Sequence, residues 1–273
     1  MNKLWLAQVR GVLRLELRKG MLGRRALPIY IWAALPVGVL TLILTVFSVA
    51  GVPTEMQGTT GAFLFFVAAF QPILRFIIYF GCVWIFMNLF RGEVLDRSLH
   101  YYFLTPVRRE VLAAGKFLSA WVTSTVVFGG ATTICYVMVY AVLGRSGPGG
   151  GAFDADVLGL LLQYLGVVAL ACLGYGAVFL VVSLFLRSLV IPALVIFLWE
   201  SINTFLPAAF KKISVIFYLQ GLIPLPPPDG PVQILAEPVS PWLAIPGLVL
   251  FTALTLVAAG LRIRRMEIAY GAD

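Results

Sequence analysis

Charge is what this chain has least of. Only 12% of its residues are Asp, Glu, Lys or Arg and 61% are apolar, with a mean hydropathy of +0.98. A soluble domain carries about 25% charged residues and about 45–50% apolar ones, so water is excluded as the solvent of most of the chain. Histidine is scarcer still. His100 stands alone, without an HExxH pattern or a cluster of metal ligands around it, and reads as an ordinary residue of a polar loop. The twelve acids are scattered, no two are spaced as a general acid and base, and no GxSxG elbow is present. Catalysis by this chain is therefore not expected. The three cysteines, Cys82, Cys135 and Cys172, each fall inside an apolar run, where they read as packing residues and not as a disulfide or metal framework.

What the chain does contain is six long apolar runs. They are Pro28 to Ala50, Pro72 to Phe90, Phe117 to Leu143, Val157 to Leu186, Leu189 to Phe210 and Trp242 to Leu261. A hydrocarbon core about 30 Å thick needs about 20 apolar helical residues to cross it, so these predict an all-α integral membrane protein with six transmembrane helices over 28–261. A transmembrane barrel would alternate in and out over segments of about ten residues, and no such alternation is present.

Lysine and arginine set the orientation. With six crossings, sixteen of the twenty cations fall on one side: Lys3 to Arg25, Arg91 to Lys116, Arg187, and Arg262, Arg264 and Arg265. By the positive-inside rule both termini face the cytoplasm, and the expected location is the cell (inner) membrane. The net charge of +8 then reports topology and attraction to anionic lipid. Nucleic acid is not an expected partner, because the cations flank helices instead of forming a stripe interleaved with aromatics. Ser48-Val49-Ala50 resembles a leader-cleavage site, but the basic region before it is too long and the apolar run exceeds the usual ~7–15 residues, so a retained helix is expected.

Residues 1–27 predict a cytoplasmic amphipathic helix in the membrane interface. Arg10, Arg14 and Arg18 share one face, with Trp5, Val9, Val12, Leu13 and Leu17 on the apolar side. Such a helix is either a surface anchor or an elbow coupling the first span to its neighbours. Proline tends to start helices and to break them internally, so the second span is placed from Pro72, with 62–70 outside it as an interfacial or dipping segment. Arg75 then lies in the outer turn, where it can snorkel to headgroups or line a polar path. Gly147 to Gly151 is a flexible connector, Arg187-Ser188 closes a tight hairpin, and 211–241 forms a proline-rich cap outside the membrane. Residues 262–273 are a cytoplasmic tail.

Two polar groups interrupt the pattern. Glu200 sits in the fifth run, where an ionised carboxylate costs about 2.5–3.5 kcal/mol even on a lenient insertion scale. Asn203 and Thr204 fall near its face. The cluster is either the lining of a translocation path or gate, with Arg75 a possible partner, or a hydrogen-bonded carboxyl that fixes helix packing. The second group is the loop 91–116, RGEVLDRSLHYYFLTPVRREVLAAGK. Leu95, Leu99, Tyr102 and Phe103 give it an apolar side suited to a groove on a soluble partner, and Glu93 with Arg97 makes a helix-supporting pair.

Glu93, the phrase Leu104-Thr105-Pro106-Val107-Arg108-Arg109-Glu110-Val111-Leu112, and Gly115-Lys116 at the opening of the third span carry a resemblance. Together with Trp199-Glu200 through Pro207 and Tyr218-Leu219-Gln220, they make the chain similar to permeases of type-2 ATP-binding-cassette transporters. The resemblance implies a coupling helix between helices 2 and 3, with Glu93, Asp96, Arg97, Leu99, His100, Tyr102, Phe103, Leu104, Pro106, Arg108 and Arg109 facing a separate ATPase subunit. It also implies a second permease subunit, as homodimer or heterodimer, and export driven by ATP and Mg held in the partner. No cofactor is expected here, since no phosphate loop is present: Gly115-Lys116 is followed by Phe117 and lacks the preceding glycine. A scaffold or assembly factor that docks an ATPase without transporting is the competing reading. A secondary transporter fits less well, because ion-coupled carriers place several polar groups at the midplane.

Overall fold

The computed structural model describes residues 11, 13–18, 20, 21, 23, 26–95, 109–145, 155–186, 190–203, 207–223 and 239–264. Among these residues the regular structure is helical throughout. The main elements are α1 (Leu27–Ala50), α2 (Gly58–Pro72), α3 (Tyr79–Leu95), α4 (Arg109–Val142), α5 (Ala155–Phe185), α6 (Val190–Ile202), α7 (Ala208–Lys211), α8 (Val215–Gln220) and α9 (Pro241–Arg264). Four helices are long and apolar enough to cross a bilayer: α1, α4 from Leu112, α5 and α9 to Ile263. The chain thus has the helices of a multi-pass membrane protein.

The second and fifth runs are built differently from expectation. Helix does not start at Pro72; Pro72 lies inside a helical stretch that runs from Gly58 to Leu95. Proline cannot donate to the carbonyl one turn back. Ile73 shares its N–H between the Ala69 and Phe70 carbonyls, and the helix then widens, with Ile73–Ile78 running as a π-helix before α3 resumes the regular pitch. Residues 62–70 belong to this continuous stretch, with Ala62, Phe66 and Phe70 fully buried against neighbouring helices. The fifth run stops as helix at Ile202, so α6 has only 13 residues, about 20 Å of rise against a core about 30 Å thick.

Helix α5 is the centre of the molecule, packing against α3, α4, α8 and α9. In its most apolar stretch 56% of residues are buried, against 22% in α1 and in α9, which therefore lie at the outside of the bundle. With lipid as solvent the apolar effect between helices is weak, and close contact through small residues takes over. Gly176 of α5 receives the Phe86 ring of α3, and a Cβ there would lie 2.5 Å from Phe86 Cζ. Gly81 of α3 receives Phe128 of α4 in the same manner. Gly174, on another side of α5, admits Val215 and Leu248, with a Cβ meeting Val215 Cγ1 at 2.8 Å.

Polar side chains reinforce these contacts from helix to helix. Trp121 donates its indole N–H to the Ala169 carbonyl at 2.9 Å, tying α4 to the middle of α5. Tyr136 donates to Val157 O at 2.6 Å, and Gln163 to Leu222 O at 3.1 Å. Tyr136 and Tyr164 also pack edge to face on Phe66, with centroids 4.9 Å apart in each pair, which holds α2 against α4 and α5.

Candidate functional site

The expected partner-binding loop spans the gap between α3 and α4. Glu93 lies in the last turn of α3 and Arg109 opens α4. Their side chains are outside the described residues, as are Asp96, Arg97, Leu99, His100, Tyr102, Phe103, Leu104, Pro106 and Arg108. The structure does fix the two helices that bracket the loop. They touch each other and both pack on α5, so the loop is anchored at each end to the core of the bundle.

A buried ion pair lies two turns into α4. Lys116 has no exposed surface, and its Nζ reaches Glu16 Oε1 at 3.1 Å; the two side chains are 1% and 11% exposed. A lone ammonium in an apolar helix contact would cost several kcal/mol, and the glutamate offsets part of that cost. Glu16 belongs to the N-terminal helical segment, which lies along α4, with Gly20 seated beside Thr123 one turn further on. Tyr30 of α1 donates to Met21 O at 3.0 Å and closes the connection. The N-terminal segment is therefore held by α4 at its Glu16–Gly20 turn. Sequence reading did not pair these residues, which lie 100 positions apart. A signal was present all the same: Glu16 is the sole acid before Glu55, and Lys116 the sole lysine between Lys19 and Lys211.

Glu200 is the second buried charge, 8% exposed near the end of α6. Val215 N–H donates to Oε1 at 3.0 Å, Ile216 N–H to Oε2 at 2.9 Å, and the Tyr175 hydroxyl to Oε2 at 3.3 Å. The first two donors are the leading amides of α8, which have no partner within their own helix. Ser214, in the capping position, makes no cap bond with its side chain. Glu200 supplies the cap from another helix, and gains in return the donors a buried carboxylate requires. Of the two readings of Glu200, the geometry supports the carboxyl that fixes packing.

Aromatic rings complete the setting. Tyr79 lies edge to face on Tyr175 at 5.1 Å and on Phe197 at 5.3 Å, and donates to Ala193 O at 2.8 Å. The short α6 is thereby fastened to α3 and α5 at both of its ends. Asn203 follows in a buried turn, its Oδ1 without a hydrogen-bond partner. Thr204 is outside the described residues; Arg75 lies in the π-helical turn, with its side chain outside them too.

Chemically the arrangement is poor in reactive groups. Cys82, Cys135 and Cys172 are buried thiols, and among the described residues no three of His, Cys, Asp or Glu are grouped as metal ligands. The buried Glu200 and the partly buried Glu16 each hold one element to another. Compared with known proteins, the chain matches no family profile and no curated protein.

Proposed function

We propose that this chain is the membrane-embedded permease subunit of an ATP-driven exporter, working with a separate ATPase and paired with a second permease subunit. The reading rests on the resemblance carried by Glu93, the 104–112 phrase and Gly115-Lys116, and on one structural observation in particular. Helices α3 and α4 bracket the loop and engage the central helix through interlocked contacts: Phe86 in the Gly176 notch and Trp121 on the Ala169 carbonyl. A push on the loop from a nucleotide-driven partner therefore reaches α5 without passing through a soft connection. That is the requirement for a two-state element biased from outside the membrane.

In this reading the four long helices, the 58–95 stretch and the α6–α8 hairpin make up six membrane-entering units, with both termini cytoplasmic. ATP and Mg are bound by the partner. The second permease subunit closes a path between the two chains, and the scarcity of polar groups suits an apolar or amphipathic cargo.

The test is co-purification with an ATP-hydrolysing subunit. Glu93→Ala combined with Leu99→Asp should abolish the association while the chain alone keeps its helical content and elution volume. Nucleotide-dependent movement of cargo in vesicles then separates an exporter from a scaffold. If the double variant still binds its ATPase, or if no ATPase accompanies the native chain, the proposal fails; ATP turnover without moved cargo would leave the scaffold.

A further inference from the structure

One surface of the bundle has the form of a binding groove with no assigned occupant. It runs between α4, α5 and α9, encloses about 550 Å³, and is lined by Ala113, Ala114, Phe117, Leu180, Leu256 and Gly260 among others. That volume falls within the ~300–1,000 Å³ typical of small-ligand sites. Room between the larger side chains is left by four small ones, Ala113 and Ala114 on α4 with Ala259 and Gly260 on α9. A Cβ at Gly260 would meet nothing within 4 Å, so the space beside it is open.

The lining comes from the first turns of α4 and the last turns of α5 and α9, so the groove lies at one end of the bundle. That end carries positive charge. Arg262 follows the lining residue Leu261, and its guanidinium sits 5.1 Å from the ring centroid of Phe185, bridging α9 to the end of α5. Arg264 closes α9 and Arg265 follows it in the sequence. An apolar slot opening sideways from membrane-crossing helices, with a cation at its membrane-surface end, has the complementarity of an acidic phospholipid: acyl chain in the slot, headgroup at the arginine.

We propose that the α4–α5–α9 groove is a binding site for an anionic phospholipid, with Arg262 recognising the headgroup and the open side of Gly260 admitting an acyl chain. The site needs the chain to be in a membrane and does not depend on transport.

Native mass spectrometry of the purified full chain, titrated with phosphatidylglycerol or phosphatidylcholine of identical acyl chains, tests the assignment. The native chain should retain phosphatidylglycerol about fivefold more strongly, the factor that corresponds to one basic residue near an anionic surface. Arg262→Gln should erase that preference and leave retention of phosphatidylcholine unchanged. Gly260→Phe should fill the slot and reduce retention of both lipids. Val257→Phe, at a lining side chain that is already 60% exposed, is a second filler whose folding is not in question. Equal retention of the two lipids by the native chain, a preference that survives Arg262→Gln, or native-like retention by both filled variants would overturn the site. So would a lipid-free dimer that either filler dissociates, since a second copy would then occupy the groove.

Discussion

Two carboxylates largely withdrawn from solvent, Glu200 and the partly buried Glu16, are satisfied in different ways. Glu16 meets a side chain of opposite charge, Lys116 of α4, whereas Glu200 takes two backbone amides of α8 and a tyrosine hydroxyl. The ion pair joins the 34-residue α4 to the N-terminal helical segment. The amide cap joins α6 to a six-residue helix that has little stability of its own. Charge pairing fastens existing parts here, while capping helps to create one of them.

Breaking the ion pair gives the largest expected effect. Lys116→Ala removes the cation that faces Glu16 in a nearly dry contact and should cost about 3–5 kcal/mol, the range for removing one partner of a buried pair. It should also release the N-terminal segment, which limited trypsin cleavage at Arg18 or Lys19 would detect. Replacing both partners, Lys116→Met with Glu16→Leu, should recover most of the thermal midpoint. If the double variant is as unstable as the single one, the pair is not the fastening.

Glu200→Ala comes next, at about 2–4 kcal/mol, because three buried donors lose their acceptor together. Glu200→Gln keeps an acceptor oxygen and should lose clearly less. Melting in detergent measures both, and equal losses would show that the carboxylate's charge, and not its accepting geometry, carries the contact. Hydrogen exchange at Val215 and Ile216 sharpens the contrast: it should accelerate in Glu200→Ala and stay unchanged in Lys116→Ala.

Smaller effects probe the bundle that both carboxylates depend on. Gly176→Val would force Phe86 out of its notch, at about 1–3 kcal/mol for an overpacked contact. Trp121→Phe removes one hydrogen bond to a carbonyl that already serves its own helix, and should cost about 1 kcal/mol. A Gly176→Val variant that melts like the native chain would show that α3 and α5 are not locked through this notch.

These contrasts also show which parts of the molecule its sequence discloses. Long apolar runs were readable because a bilayer dictates their length, and α1, α4, α5 and α9 lie where hydropathy puts them. Pro72 misled, because a helix carries an internal proline where the neighbouring turns readjust: Ile73 shares its N–H between two carbonyls and a π-helical turn follows. The fifth run misled for the opposite reason: hydropathy continues to Phe210, whereas α6 ends at Ile202 and Glu200 accepts from amides that lie beyond it. The polar cluster at Glu200 was visible as residues and not as a cap, since its donors are backbone groups, which no sequence pattern displays. Lys116 and Glu16 were visible as isolated charges; their pairing depends on how the N-terminal segment lies along α4.

Glu200 is translated before the amides that satisfy it, which follow 15 and 16 positions later. During synthesis the carboxylate thus reaches the membrane-insertion machinery with only Tyr175 already made. It enters lipid at full desolvation cost unless the following turn arrives with it. The α6–α8 stretch should accordingly insert as one hairpin: in released chains ending at residue 206 the thiol of a Val195→Cys variant should stay open to a water-soluble maleimide, and in chains ending at residue 221 it should be shielded.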